Sequence, residues 1–250
     1  MSRHITRMTI DDAEHYTPEQ RQAIIDSYPA HEREARVKGL PSLGSGRVFP
    51  FEEEGLRCKP FQIPAHFIQI NGIDFGFDHP FAACHCAWDR EDDIWYVCST
   101  YRDKGGSAPI HAAAMRPWGT WVPTAWPHDG LQHDKGSGAQ LAGQYRENGV
   151  NMLYEHATHE AGGFGLEAGV AEMSERMQTG RWKVFDGNED WFGEFRLYHR
   201  EDGKIIKVRD DLLSASRYAL MMRRFAIVPP VKTRRERSVG TGNRLNWMAS

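Results

Sequence analysis

Three strand-like segments follow one another between residues 64 and 103 and constrain the possible fold more than any other feature of the sequence. They read "AHFIQINGIDFGF", "PFAACHCAWD" and "IWYVCSTYRD", and they are rich in aromatic, β-branched and small apolar residues. The turn-forming stretches "DHP" and "DREDD" separate them. The pattern predicts three consecutive antiparallel strands that form a meander.

An acidic residue interrupts the first of these segments. Asp74 stands inside its apolar run, and Gly76, Asp78 and Pro80 follow almost directly. A lone carboxylate on a core strand loses several kcal/mol of solvation unless an opposite charge meets it. We therefore expect a positively charged group to lie against Asp74.

Beyond residue 103 the sequence alternates between helical and strand-like patterns, as in parallel β-α-β units. Helices are predicted for "SAPIHAAAMRPWG", "GAQLAGQYRENG", "LEAGVAEMSERMQTG", "NEDWFGEFRLYHR" and "DDLLSASRYALMMRRF". Short strands are predicted for "WVPTAWPHDG", "VNMLYEHA" and "KIIKV". The predicted fold class is α/β, with a ribonuclease-H-like mixed sheet of three antiparallel strands followed by parallel strands, flanked by helices.

The chain divides into three predicted zones. Residues 1–60 form a helical segment and linker, in which Thr17, Pro18 and Gln20 start a helix through Ser27 with a capping box, and "AHEREARVKG" forms a second helix. Residues 61–228 form the main domain, and residues 229–250 form a basic, flexible tail. No apolar run is long enough for a membrane span and no secretory signal is visible, so we expect an intracellular protein.

Three carboxylates are expected to meet at one edge of the sheet. In this architecture the first strand is central and the fourth lies beside it in parallel, so Asp129 comes near Asp74. The last helix crosses the same edge, and its first turn carries Asp210 and Asp211.

The three acidic segments also carry a family resemblance. The stretches "GIDFGFDHPFAA", "WPHDGLQHDKGSG" and "KVRDDLLSASRYAL" resemble the nuclease portion of tailed-phage terminase large subunits over most of residues 64–225. The segment "PAHEREARVKGLPSLGSGRVFP" is similar to the one that leaves the motor ATPase in that family. The resemblance matches Asp74 to the first-strand metal ligand, Asp129 to the acid after the fourth strand, and Asp211 to the acid that opens the final helix.

The sequence departs from the family pattern in two places. Ser214 stands where many relatives have a further aspartate, which leaves open whether Asp210 or Asp211 is the direct ligand, and we prefer Asp211. No G-x-x-x-x-G-K-[ST] phosphate loop occurs in the sequence. We expect no ATPase motif in this chain, which would then be a fragment, a prophage remnant or a gene product whose ATPase is a separate chain.

The acids suit phosphodiester hydrolysis with two metal ions. Oxygen ligands favour Mg²⁺ or Mn²⁺, and two such ions stabilise both the attacking and the leaving oxygen. Asp74 would bridge both ions, while Asp129 and Asp211 would each hold one. Asp78 and Asp210 could orient metal-bound waters, Lys135 could reach a DNA phosphate, and at least one carboxyl pKa should be raised by mutual repulsion.

The resemblance implies an endonuclease that cuts concatemeric double-stranded DNA during genome packaging in the bacterial cytoplasm. Its partners would be a terminase small subunit, the portal and the ATPase domain. Because the formal net charge is -3, DNA binding must rely on local basic patches, and contacts mainly to phosphate give little base specificity.

Two alternatives remain open at this stage. A junction resolvase or RNA nuclease of the same fold would use the same acids and would prefer a different substrate. A docking module of the packaging complex with a vestigial metal site would bind its partner and cleave nothing.

Overall fold

A six-stranded mixed sheet forms the centre of the structure. The computed structural model describes residues 9–12, 16–27, 37, 46–76, 79–131, 140–201 and 203–230. The sheet has the order β1-β6-β4-β3-β2-β5. Its strands are β1 (Arg57–Cys58), β2 (Ile68–Asp74), β3 (Phe81–Asp89), β4 (Ile94–Asp103), β5 (Thr124–Ala125) and β6 (Trp182–Phe185). A separate hairpin pairs β7 (Arg200–Glu201) with β8 (Lys204–Ile205).

The strand directions confirm the predicted fold class. β2, β3 and β4 form the antiparallel meander, in which Asp74 lies opposite Ala82. β5 runs parallel to β2, and β6 runs parallel to both β4 and β1. The two-residue pairing of β5 aligns Gly72 with Ala125, so the chain leaving β5 emerges at the same end of the sheet as Asp74.

Six α-helices have both ends within the described residues. They are α1 (Pro18–Ser27), α2 (Ala108–Met115), α3 (Leu141–Glu147), α4 (Leu166–Gln178), α5 (Glu189–Leu197) and α6 (Asp211–Met221). None of the helices described is long and apolar enough to cross a membrane. The alternation of side chains along β3 separates two cores, because Ala82, Cys84 and Cys86 pack with α4–α6 while Phe81 and Ala83 pack with α2 and α3.

The N-terminal region corrects part of the sequence analysis. The segment predicted as a linker contributes β1 to the central sheet, and its Phe49 is fully buried against Phe195, with 6.0 Å between ring centroids. Phe49 and β1 therefore pack together with residues that follow position 60. The capping box of α1 is confirmed, since Thr17 and Gln20 exchange hydrogen bonds of 3.0 and 3.3 Å.

Other local predictions had mixed outcomes. β6 was not predicted, and "VNMLYEHA" forms only one bridge to the sheet, between Met152 and Thr124, instead of a strand. The "KIIKV" segment contributes only β8. The helix predicted over residues 30–39 lies outside the described residues except for position 37, as does the tail from residue 231.

Helix α6 crosses β2 at Gly72 with almost no space between them. A Cβ atom added to Gly72 would lie 1.9 Å from the carbonyl oxygen of Ala215 and 2.9 Å from the backbone nitrogen of Ala219. Both of these atoms belong to the helix backbone and cannot move away as a flexible side chain could. Gly72 therefore fixes how closely the helix that begins at Asp211 approaches the strand that ends at Asp74.

We predict that Gly72→Ala lowers the free energy of unfolding by about 2 kcal/mol or more, because the new methyl group must push the helix off the strand. Urea denaturation followed by circular dichroism measures this loss. Gly55→Ala is the matched control, since a Cβ at Gly55 meets nothing within 4 Å. Equal stability of the two variants would show that the helix can shift without cost.

Candidate metal centre

Two of the three predicted acids come together at the end of β2. Asp74 is the last residue of this strand and is half-buried, and Asp211 is the first residue of α6 and is buried. A carboxylate oxygen of each and Nδ1 of His79 all lie within 4.8 Å of one another. Of the two adjacent aspartates at the start of α6, Asp211 is therefore the one that belongs to this group.

His79 is a member of the group that the sequence analysis missed. Its side chain is half exposed, and its Nδ1 lies 2.8 Å from Oδ1 of Asp211. The turn that carries it is tight, because a Cβ at Gly76 would lie 2.1 Å from the carbonyl oxygen of His79. In the sequence analysis the "DHP" stretch was interpreted as a turn and its Asp78 as a residue that could orient metal-bound waters, and His79 was given no role.

Asp74 lies where its negative charge is disfavoured. The pKa of Asp74 is raised to about 7: burial is the largest cause, the nearby charges of Asp210 and Asp211 also raise it, and His79 and Arg217 lower it. The sequence analysis expected such a rise from mutual repulsion of the acids, whereas burial is its largest cause. The buried Arg217 is a positive group of the kind expected near Asp74.

Asp211 pairs with Arg102 and is the first residue of a capped helix. Arg102 of β4 donates a hydrogen bond of 2.8 Å from Nη2 to Oδ2 of Asp211. Glu194 of α5 accepts the backbone N–H groups of Leu212 and Leu213 at 2.7 and 3.1 Å. Asp210 occupies the N-cap position without making a side-chain capping bond, so Glu194 provides the cap from a neighbouring helix.

Glu194 is deeply buried, with 2% of its surface exposed. Burial raises its pKa to about 8, although the two backbone N–H groups and Arg102 favour its charged form. Its Oε1 atom lies 3.7 Å from Nε of Arg102. The chain from Glu194 through Arg102 to Asp211 thus fixes one side of the candidate site, and no sequence motif pointed to it.

Asp129 borders this group without being part of it. It is exposed in the 3-10 turn His128–Leu131 that follows β5, and it is not among the clustered residues Asp74, His79 and Asp211. Its charge nevertheless lies close enough to Tyr218 to affect the pKa of that residue, as the charge of Asp74 also does. Burial raises the pKa of the Tyr218 phenol to about 12, and the charges of Asp74 and Asp129 both contribute.

The remaining predicted residues have different positions. Asp210 is buried at the N-cap of α6, where burial and the charge of Asp211 raise its pKa. It accepts a long hydrogen bond of 3.5 Å from the Ser214 hydroxyl. Asp78 and Lys135 lie outside the described residues.

A buried polar network holds β5, and hence the turn with Asp129, against β2. Nδ1 of His85 donates to Oδ1 of Asn71 at 2.8 Å, and Nδ2 of Asn71 donates to the Thr124 hydroxyl at 3.4 Å. All three residues are buried. Burial lowers the pKa of His85 to about 4, so the imidazole is neutral at neutral pH.

The fold and the site together define a class of protein. A mixed sheet that begins with a meander, with aspartates at the end of its central strand and at the start of its last helix, is a ribonuclease-H-like domain of the nuclease type. A family model described as the terminase RNaseH-like domain matches residues 71–223. A second model, described as the N-terminal part of the T4likevirus-type terminase large subunit, matches residues 2–56. The chain belongs to the terminase large subunit family.

Individual relatives support this assignment. The large terminase subunit of Salmonella phage P22 is 49% identical over 226 residues, which cover 90% of this chain and 45% of that protein. The chain therefore spans less than half the length of this curated relative. The solved P22 large terminase nuclease domain matches with a TM-score of 0.70 and 46% identity, over 74% of this chain and 96% of that structure.

A more distant structure shares the fold. The large terminase nuclease domain of bacteriophage SPP1, solved with bound Mn, matches with a TM-score of 0.50 and 16% identity. The match covers 67% of this chain and 94% of that structure.

We predict that Glu194→Ala lowers the free energy of unfolding by about 2–3 kcal/mol, because it leaves two buried backbone N–H groups without their acceptor and removes a carboxylate that faces Arg102. Glu194→Gln keeps an oxygen acceptor and should lose less. Urea denaturation tests both variants, with the exposed Glu147 of α3 changed to alanine as the control. If all three variants are as stable as the wild type, the cap is unimportant.

His85 should make the protein less stable in acid. Its folded-state pKa of about 4 lies below the value of about 6.5 expected in the unfolded chain, so between these values only the unfolded chain takes up the proton. Stability is therefore lost as the pH falls through this window, by about 2 kcal/mol from this residue at pH 4.5. Urea denaturation of the wild type and of His85→Gln across this range isolates the effect, and parallel pH profiles would contradict it.

Proposed function

We propose that this chain contains a metal-dependent endonuclease that cuts concatemeric double-stranded phage DNA during genome packaging. The convergence of Asp74 and Asp211 at one end of the sheet, in a chain of the terminase large subunit family, is the observation that carries the proposal. We infer that Asp74, Asp129 and Asp211 are the ligands of two Mg²⁺ or Mn²⁺ ions.

The residues present fit such ions. Carboxylate oxygens are the ligands that Mg²⁺ and Mn²⁺ prefer. Burial and two neighbouring acids penalise the charge of Asp74, and a bound divalent cation would relieve this penalty. The distant SPP1 domain was solved with Mn, which makes Mn²⁺ a suitable metal for a first test.

The three acids act together in this proposal. Asp74 and Asp211 would hold the ions together with Asp129 from the turn after β5. Arg102 and the Glu194 cap keep the Asp211 carboxylate and its helix from moving. When bound, the two ions would stabilise the charge that develops on the attacking water and on the leaving oxygen.

Partners and specificity follow from the family. The chain corresponds to less than half of the P22 large subunit, so we propose that an ATPase domain, a terminase small subunit and the portal act together with this nuclease. Binding through phosphates gives little base specificity, and the partners would then select where the DNA is cut.

We predict that the purified chain cuts linear and supercoiled plasmid in Mg²⁺ or Mn²⁺ and fails to cut in EDTA. Asp74→Asn and Asp211→Asn should each lower the cleavage rate by about 100-fold or more, because each removes a charged ligand. Asp129→Asn should raise the metal concentration needed for half-maximal cleavage.

Asp92→Asn is the control for these variants. Asp92 is exposed in the turn between β3 and β4, at the opposite end of the sheet, so this change should leave cleavage intact. A folded wild type that cuts no DNA with any metal would contradict the nuclease proposal and favour a docking module. A strong preference for branched over linear duplex would favour a resolvase-type enzyme.

A further inference from the structure

An open groove adjoins the candidate metal centre on the side of Asp211. Its volume is about 590 Å³, and His79, Arg102 and Asp211 form part of its wall. The groove is also lined by Lys104, Lys207 and Arg209, which are all exposed, and we call these three residues the basic rim. Lys104 directly follows β4, and the other two lie between β8 and α6. Two separate parts of the chain thus direct basic residues to one groove.

The basic rim differs in its ion pairing from several arginines of the protein surface. Many arginines at its surface form ion pairs with nearby carboxylates, among them Arg57 with Glu53, Arg181 with Asp93, Arg200 with Glu167, and Arg223 with Glu172. Lys104, Lys207 and Arg209 form no ion pair or hydrogen bond with any residue that the structure describes. Their charges are therefore free to meet a ligand.

Structural stability does not explain this arrangement. An exposed cation that stabilises the fold would be expected next to a carboxylate, and even such pairs contribute at most about 1 kcal/mol. Arg209 also has a left-handed backbone conformation, with φ 54°. This conformation costs a residue with a Cβ atom about 1 kcal/mol or more, and such local strain is concentrated at functional sites.

The ligand must be negative, extended and able to reach the metal centre from the open groove. A nucleic acid strand meets these conditions, because it carries a phosphate at every nucleotide on both sides of the bond that is cut. We propose that the basic rim binds the phosphates next to the scissile bond. This inference rests on the proposed nuclease function and names residues that contact its substrate.

The rim is separate from the chemistry it would serve. Arg102 already pairs with Asp211, so it belongs to the metal centre, whereas no rim residue forms an ion pair with Asp74, Asp129 or Asp211, and the charge of Lys207 acts on Asp210. Changing the rim should therefore weaken substrate binding and leave the rate of the bound complex unchanged. This separation of KM from kcat distinguishes a substrate contact from a contribution to folding or metal binding.

The test compares Lys207→Gln/Arg209→Gln and Lys104→Gln with the wild-type chain. Arg90→Gln is the control, because Arg90 is exposed in the turn between β3 and β4 at the opposite end of the sheet. Cleavage of a fluorescent linear duplex is measured against DNA concentration at several KCl concentrations between about 50 and 200 mM. Thermal melting confirms that each variant is folded.

The double variant should raise KM about 10-fold and keep kcat within about 2-fold of the wild type. The slope of log KM against log salt concentration should fall by about 2 for the double variant and by about 1 for Lys104→Gln, since each lost phosphate contact removes about one unit. Lys207→Arg/Arg209→Lys, which keeps the charges, should restore the wild-type slope. Arg90→Gln should change neither KM nor the slope.

The inference is overturned if the folded double variant keeps the wild-type KM and salt slope, as would happen if the rim binds an acidic protein segment. It is also overturned if kcat falls while KM is unchanged. A wild type that cuts no DNA contradicts the nuclease proposal instead. Duplex binding in EDTA, measured by fluorescence anisotropy, then still decides whether the rim contacts phosphate.

Discussion

The candidate site depends on the contact between the backbone of α6 and Gly72 of β2. Because no side chain separates them, the helix lies directly on the central strand, and its first residue, Asp211, reaches the end of that strand. A larger residue would move the helix by more than the tolerance of a metal site, in which ligand positions are fixed within a fraction of an ångström. The same contact buries Leu212 and Ala215 in the core. The hydrophobic effect thus provides the free energy that holds two mutually repelling carboxylates together.

The repulsion between the acids is reduced by groups from different parts of the chain. His79 comes from the turn after β2, Arg102 from β4, and Glu194 from α5 caps the helix that bears Asp211. Burying an acid such as Glu194 is costly unless hydrogen bonds compensate, and here two backbone N–H groups do so. The site is therefore rigid on the Asp211 side. On the Asp129 side, a short 3-10 turn follows a strand of only two residues.

Much of the fold could be predicted from sequence because its central strands have strong local patterns. The meander and the helices α4–α6 have apolar periodicities that specify their type, and the order of elements then places β5 beside β2. β1 and β6 were missed because they are short, and their pairing is decided by residues more than a hundred positions apart. Phe49 stands in a stretch rich in glycine and proline, and only tertiary packing against Phe195 shows that it belongs to the core.

The same distinction between local and long-range information applies to the site. Asp74 could be identified because an acid in an apolar strand violates a local rule. Glu194 follows every local rule for an amphipathic helix, so its role as a cap for another helix is visible only when α5 and α6 are packed together. The basic rim was equally hidden, because Lys104 and Arg209 are unremarkable turn residues in sequence, and only the fold places both beside Asp211. Residues that break a local rule can thus be identified from sequence. Residues that support them from distant segments can be identified only from the three-dimensional structure.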